Sequence, residues 1–78
     1  MSNIKGNLLI IQSSKELGKE IRRKRKKAGI RIDDAAMMIG IAKETMSKIE
    51  NGADGVAIGK VLLAAQELGV RLMVEDES

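Results

Sequence analysis

The 78-residue chain contains neither cysteine nor histidine. The usual nucleophile–base pairs of covalent catalysis are therefore missing, as are the thiolate and imidazole ligands of a zinc site. What remains are ammonium, guanidinium, carboxylate and hydroxyl groups, which offer charge and hydrogen bonding. Residues 15–31 hold nine Lys/Arg against two acids, Glu16 and Glu20, a local charge of +7 in a chain whose total is +3. Glu75, Asp76 and Glu77 make the other end acidic. This segregation suits a polyanionic partner at the basic end, and it equally suits a solvated helix face with an acidic tail. A second group of polar side chains, Lys43, Glu44, Thr45, Ser47, Lys48 and Asn51, falls within nine residues and mixes donors with acceptors. No metal, cofactor or catalytic group is expected, and an enzyme is the function the composition opposes most.

The elements that must position these groups are legible in the stretch Ile30–Gly52, IRIDDAAMMIGIAKETMSKIENG. Asp33–Ile39 and Lys43–Glu50 read as two short helices. Gly40 between them can take the left-handed conformation that ends a helix. Ala36 is small enough for a close crossing, and Ile39, Ile41, Met46 and Ile49 would bury the corner. The spacing Ala36-x3-Gly40-x5-Met46-x2-Ile49 resembles the helix-turn-helix of DNA-binding repressors. It also fits an ordinary αα-corner.

The flanks follow from capping and periodicity. Residues 1–6 are expected to be flexible, and 7–12 to contain a short strand centred on the apolar run Leu8–Ile11. Periodicity alone does not separate that strand from a helical lead-in. Ser13 followed three residues later by Glu16 is a capping box, so helix 1 should start near Ser14. It should end near Ala28, before Gly29, with Leu17, Ile21 and Ala28 on its apolar face. Six consecutive basic residues, Arg22–Lys27, cannot share one face of a 3.6-residue period. A helix from about Ala57 to Leu68 should bury Ile58, Val61, Leu62, Ala65 and Leu68, leaving Leu63 off the stripe. Val70–Val74 reads as a strand in need of a partner, either Leu8–Ile11 or the same strand of a second chain. The chain is thus one domain, with a helical core over 14–69, a strand over 70–75 and a tail over 76–78. No apolar run approaches the roughly 20 residues of a membrane span. A cytoplasmic protein is expected.

From Leu17 to Val70 the chain resembles the Xre/Cro-type repressor domain. The resemblance rests on IRRKRKKAGI, AAMMIGIAKETMSKIENG with its I-E-x-G ending, and VLLAAQELGV. It implies an all-α, four- to five-helix, lambda-repressor-like helix-turn-helix domain with short terminal β-strands that pair in a dimer. The apolar strand after the last helix is similar to that of HipB-type antitoxins. That likeness implies a homodimer held by Val70, Leu72 and Val74, with Leu63 beside the paired strands. The family's structural ion pair maps onto Arg25 and Glu50. Three departures stand out. Ala42 replaces the N-cap Ser/Thr of the third helix. Ile32 replaces a phosphate-binding Gln, a role Arg31 can take over. Met37 and Met38 replace polar residues, and for Met37 core packing is the expectation, with a protein interface as the alternative.

In such a motif the first turn of the second helix enters the major groove most deeply. Lys43 can donate to guanine O6 and N7, Glu44 can accept from cytosine N4, and Ser47 and Thr45 can serve as further base contacts. Lys48, Arg31, Asn51, Lys26 and Lys27 are the phosphate candidates, joined by the backbone N–H groups that open helices 2 and 4. The implied partners are double-stranded DNA with a near-palindromic operator, a second copy of the chain and a HipA-like kinase toxin, with no membrane. The alternatives are a phage or mobile-element regulator without a toxin, or a protein-interaction module on the same fold. With no aromatic residue to stack bases, RNA is disfavoured.

Overall fold

The computed structural model describes residues 4–5, 8–52 and 54–76. It contains a minimal antiparallel hairpin, β1 (Ile4–Lys5) and β2 (Leu8–Leu9), in the register Ile4↔Leu9 and Lys5↔Leu8. Four helices follow: α1 (Ser14–Lys27), α2 (Ile32–Ile39), α3 (Lys43–Glu50) and α4 (Ile58–Glu67). Helix α1 packs on α3, α3 packs on α2, and α2 packs on α4.

Each helix begins or ends where a side chain or a glycine decides it. Ser13 caps α1: its Oγ accepts from the Glu16 N–H at 3.1 Å and donates to the Glu16 carboxylate at 3.3 Å. At the far end, Ile30 N–H donates to the Arg25 carbonyl and Gly29 N–H to that of Lys26. Helix α4 closes in the same way, with Val70 N–H on the Ala65 carbonyl and Gly69 N–H on that of Gln66. This 6→1 closure requires a left-handed residue, and Gly29 and Gly69 supply it at φ 72° and 81°.

The core is small and rich in alanine. Ile21 and Met46 are its largest fully buried side chains; Ala35, Ala36, Ile39, Ile49, Ala64, Ala65 and Leu68 surround them. Each fully buried Ile or Met contributes about 1.5–3 kcal/mol. With so few of them, the close approach of helix backbones matters as much as side-chain volume. Gly18 shows this. A Cβ there would stand 2.6 Å from the carbonyl oxygen of Glu50 and closer still to that of Ile49. Only glycine lets α1 lie on the last turn of α3.

Several expectations are corrected. Ala28 is exposed; the face of α1 turned to the core carries Gly18, Ile21 and Arg25. Ile58 and Leu62 are exposed, and Ala64 takes their place beside Ala65 and Leu68, because α4 turns its small residues to the core. Met37 is 79% exposed, on the side of α2 opposite Ala36 and Ile39, so it does not pack in the core. Of the strand expected over 7–12, Leu8–Leu9 alone is strand among the described residues, and Ile4–Lys5, expected to be flexible, is its hydrogen-bonded partner. Residues 70–75 form no strand ladder in the single chain. A strand there would need a strand beside it, and among the described residues β2 pairs with β1 alone. Met1–Asn3, Gly6 and Asn7, and Glu77 and Ser78 of the expected tail, lie outside the described residues.

Candidate nucleic-acid interface

Gly40 makes the turn between α2 and α3. Its φ is 85°, and its N–H and that of Ile41 both donate to the Ala36 carbonyl, at 2.9 and 3.0 Å. Ala36 is buried at this crossing. Helix α3 then buries Met46, Ile49 and Glu50 and turns the rest of its surface outward. Lys43 and Glu44 in the first turn and Lys48 in the last are exposed; Thr45 and Ser47 are half-buried at the margin. Ala42 caps α3 in extended geometry with no side-chain hydrogen bond. The first-turn N–H groups thus lack the side-chain acceptor that Ser or Thr would provide. Asn51 follows as C-cap, and its Nδ2 donates to Ser47 Oγ at 3.4 Å.

Behind this surface sits the Arg25–Glu50 pair. Arg25 Nε donates to Glu50 Oε2 at 2.6 Å and Nη2 to Oε1 at 2.9 Å, a bidentate fork between residues only 8% and 6% exposed. Arg25 Nη1 also donates to the Ile30 carbonyl at 2.9 Å. One guanidinium therefore joins α1, the end of α3 and the chain entering α2. The hydrogen bond to Glu50 raises the Arg25 pKa, against the opposing effect of burial. The pair faces inward and is unavailable to a ligand.

The loop after α3 is also anchored. Ser14 Oγ donates toward the Gly52 carbonyl, at 3.0 Å, and Asp54 Oδ1, at 3.2 Å. Gly52 has φ 71°, and a Cβ there would collide with the Lys15 backbone. This contact gives the glycine of the I-E-x-G ending a physical reason. Gly18 and Ser14 were not singled out by sequence reasoning. The usable signal for Gly18 was a glycine inside a good helical pattern, which otherwise costs about 1 kcal/mol.

The remaining basic candidates differ in their surroundings. Lys26 and Lys27 are exposed in the last turn of α1, ahead of Gly29. Arg23 is engaged with Glu20 on the α1 surface, at 3.1 and 2.9 Å. Arg31 precedes α2 and lies 3.5 Å from the Asp33 carboxylate. Asp33 and Asp34 occupy the first turn of α2, which sets negative charge against a phosphate at that helix end. The first turn of α4 holds no acid. Among the described residues there is no acidic group of three or more suited to a metal ion, and no helix long and apolar enough to cross a membrane.

Several solved structures share this fold. HipB in a HipA–HipB–O2–O3 complex superposes with a TM-score of 0.79 at 24% identity, covering 91% of this chain and 100% of that one. A HipB variant with an O2 20mer gives 0.78 at 24% identity, covering 91% and 99%. HipB with an O4 20mer gives 0.78 at 24% identity, covering 91% and 100%. Among curated proteins none matches this sequence. The profile of the family described as Helix-turn-helix matches residues 21–73, which takes in the corner at Gly40, the exposed face of α3 and the Arg25–Glu50 pair behind it. With that match spanning most of the chain, the protein belongs to the Xre/Cro-type helix-turn-helix family.

Proposed function

We propose that the protein is a homodimeric, sequence-specific DNA-binding transcriptional repressor that acts in the cytoplasm by occupying its operator, with no catalytic role. The observation that carries this reading is the α2–α3 corner. It presents Lys43 and Glu44 on an exposed first turn while the Arg25–Glu50 fork fixes the helix from behind. Lys43, Glu44, Thr45 and Ser47 are the base-reading residues of this proposal. Lys48, Arg31, Asn51, Lys26 and Lys27 meet phosphates, with Arg31 and Asn51 first leaving Asp33 and Ser47. One such domain makes few base contacts, so a dimer on two half-sites about 34 Å apart supplies the affinity. Val70, Leu72, Val74 and Leu63 hold that dimer.

The finer reading is a HipB-like antitoxin that represses its own operon and binds a kinase-like toxin. It is supported by the shared fold with HipB in a complex that includes HipA. It is also supported by Met37 and Met38, 79% and 54% exposed on α2, since methionine makes adaptable protein contacts. Co-purification with a HipA-like kinase encoded beside this gene tests it; failure to bind leaves the repressor without a toxin.

Fluorescence anisotropy with the DNA upstream of the gene tests the central claim. A dimer neutralising about six to eight phosphates gives a log–log salt slope of about −5 to −7. Lys43→Ala should change which sequences bind, whereas Lys26→Ala and Lys27→Ala should weaken all sequences alike. An unchanged preference in Lys43→Ala removes α3 as the reading helix.

A further inference from the structure

The basic residues of α1 separate by helical phase into groups with different neighbours. Lys15, Lys19, Arg22 and Lys26 follow one another at steps of four, three and four residues, which keeps them within about 60° of the helix circumference. All four are exposed. The buried edge of the helix, Gly18, Ile21 and Arg25, runs beside this stripe. Glu20 and Lys24 stand nearly opposite, on the flank that lines an open groove against Leu8–Ile11 and Gly69–Glu75. Both acids of the helix, Glu16 and Glu20, lie off the stripe. Arg23 goes with them, tied to Glu20 at 2.9 Å. Among the described residues no ion pair engages any of the four stripe residues.

The helix gains nothing from this arrangement. Like charges three or four residues apart repel one another, and the stripe contains three such pairs. The helix dipole favours cations in the last turn and opposes them in the first. That accounts for Lys26 in the last turn, but not for Lys15 in the first or Lys19 in the second. A solvated helix face interleaves charges of both signs, as Glu20 and Arg23 do on the other side. Four cations in a row with no acid among them match a ligand that is itself a row of anions.

The stripe begins at the reading corner. Lys15 lies against the loop that follows α3: a Cβ on Gly52 would stand 2.7 Å from the Lys15 nitrogen. Ser14 Oγ ties the same loop, at 3.0 Å to the Gly52 carbonyl and 3.2 Å to Asp54 Oδ1. Asn51 opens that loop. From there the stripe runs about 16 Å along α1, to Lys26 ahead of the turn that leads to Arg31. A DNA strand passes a phosphate about every 3.4 Å of helix axis, so several fall within that length.

We propose that Lys15, Lys19 and Arg22, continuous with Lys26, bind the phosphate backbone of the operator beside the bases met by α3. The proposal rests on the repressor reading above and extends its contact surface from the corner onto α1. Phosphate contacts carry no sequence information, so the stripe holds DNA without choosing it. It also makes the salt dependence steeper than the corner residues do alone.

Fluorescence anisotropy of the full chain over a range of salt concentrations tests this, on the DNA upstream of the gene and on a scrambled duplex of equal length. The decisive variants are Arg22→Ala and Arg23→Ala, which lose the same charge from different flanks of one helix. Arg22→Ala should flatten the log–log slope by about 2, one phosphate for each subunit of a dimer, and Arg23→Ala by less than about 0.5. The triple variant Lys15→Ala, Lys19→Ala, Arg22→Ala should flatten it by about 5. All should rank sequences as the parent does, and circular dichroism should show unchanged helix, since alanine favours it. Equal slopes for the two arginine variants overturn the stripe and leave the repressor reading standing. A changed ranking in Arg22→Ala overturns it too, by making that residue a base reader. A parent that does not prefer the upstream DNA removes the repressor reading, while a slope difference between the arginine variants on the scrambled duplex still supports the stripe. Variants that lose binding to vesicles of anionic phospholipid, but none to DNA, make the stripe a membrane contact and end the proposal.

Discussion

Substituting Glu50 by Ala should destabilise the fold more than any single change on the α3 surface. The carboxylate accepts both forks of the Arg25 guanidinium, at 2.6 and 2.9 Å, in a site with side-chain exposures of 10% for Arg25 and 4% for Glu50. Its removal leaves a buried cation that still donates to the Ile30 carbonyl but has lost its counter-charge. Breaking such a pair costs about 3–5 kcal/mol, most of it from the uncompensated charge. A domain of this size has roughly 4–12 kcal/mol in total. With about 4–8 °C per kcal/mol for a small domain, even the lower cost lowers Tm by about 12–24 °C.

The double variant Arg25→Met with Glu50→Leu sharpens the test. It removes both charges together and should recover most of the loss, because a well-packed apolar pair can match a buried salt bridge. Thermal unfolding followed by circular dichroism, at one fixed protein concentration, measures both. A Glu50→Ala midpoint within about 4 °C of the parent, or a double variant no better than the single, would refute the reasoning. The pH dependence follows from the raised Arg25 pKa. A group whose folded pKa exceeds its unfolded one contributes fully below the unfolded value, which for a guanidinium lies far into the alkaline range, and loses that contribution only as pH rises through the higher folded value. The parent–variant difference should therefore stay constant between about pH 7 and 10; a fall in that window would mean that Arg25 is not held as described.

Gly18→Ala reverses the usual helix rule. Alanine normally gains about 1 kcal/mol inside a helix, but here the new Cβ meets the Ile49 and Glu50 carbonyls, so Tm should fall by several degrees; a rise would show that α1 and α3 do not approach so closely. Ala42→Ser places a hydroxyl at an extended cap, φ −68° and ψ 148°, that has no side-chain hydrogen bond. It should stabilise the fold by about 0.5–1 kcal/mol, read as a higher midpoint; an unchanged one would mean that the α3 N–H groups are already satisfied.

The helices were legible because their ends are marked chemically. Ser13 and Glu16 announce α1, while Gly29, Gly40 and Gly69 stop three helices through left-handed closure. The turn and the Ala36 crossing could be read from spacing, since few residue types fit either. The buried face of α4 could not. Apolar residues stand at 58, 61, 62, 63, 64, 65 and 68, nearly encircling the helix, so the hydrophobic pattern has no single minimum. Packing against α2 selected the alanines, because a close crossing favours small side chains over Ile58 and Leu62. Met37 was misread for a related reason. Its apolarity suggested burial, but the corner at Gly40 had already set the phase of α2 through Ala36 and Ile39. At the candidate site, the exposure of Lys43 and Glu44 followed from helical phase. The contacts of Arg31 with Asp33 and of Asn51 with Ser47 depend on rotamers that spacing does not determine.

These placements separate two properties that a DNA-binding domain must control. The face of α3 is held by contacts within one chain: the Gly18 approach, the Arg25–Glu50 fork and the Ser14–Gly52 tie. Substitutions there should alter folding or base preference. The terminal segments supply none of these residues, and on the dimeric reading they set how far apart two α3 helices stand. Losing that spacing lowers affinity for every operator by a similar factor, because both half-sites still meet an unaltered reading face. A truncation after Gly69 isolates the second property. It removes Val70–Val74 and leaves all four helices, so the protein should remain helical, become monomeric at micromolar concentration and lose operator affinity while keeping its ranking of sequences. A truncated chain that stays a tight dimer would move the interface to α4, where Ile58, Leu62 and Leu63 are already exposed.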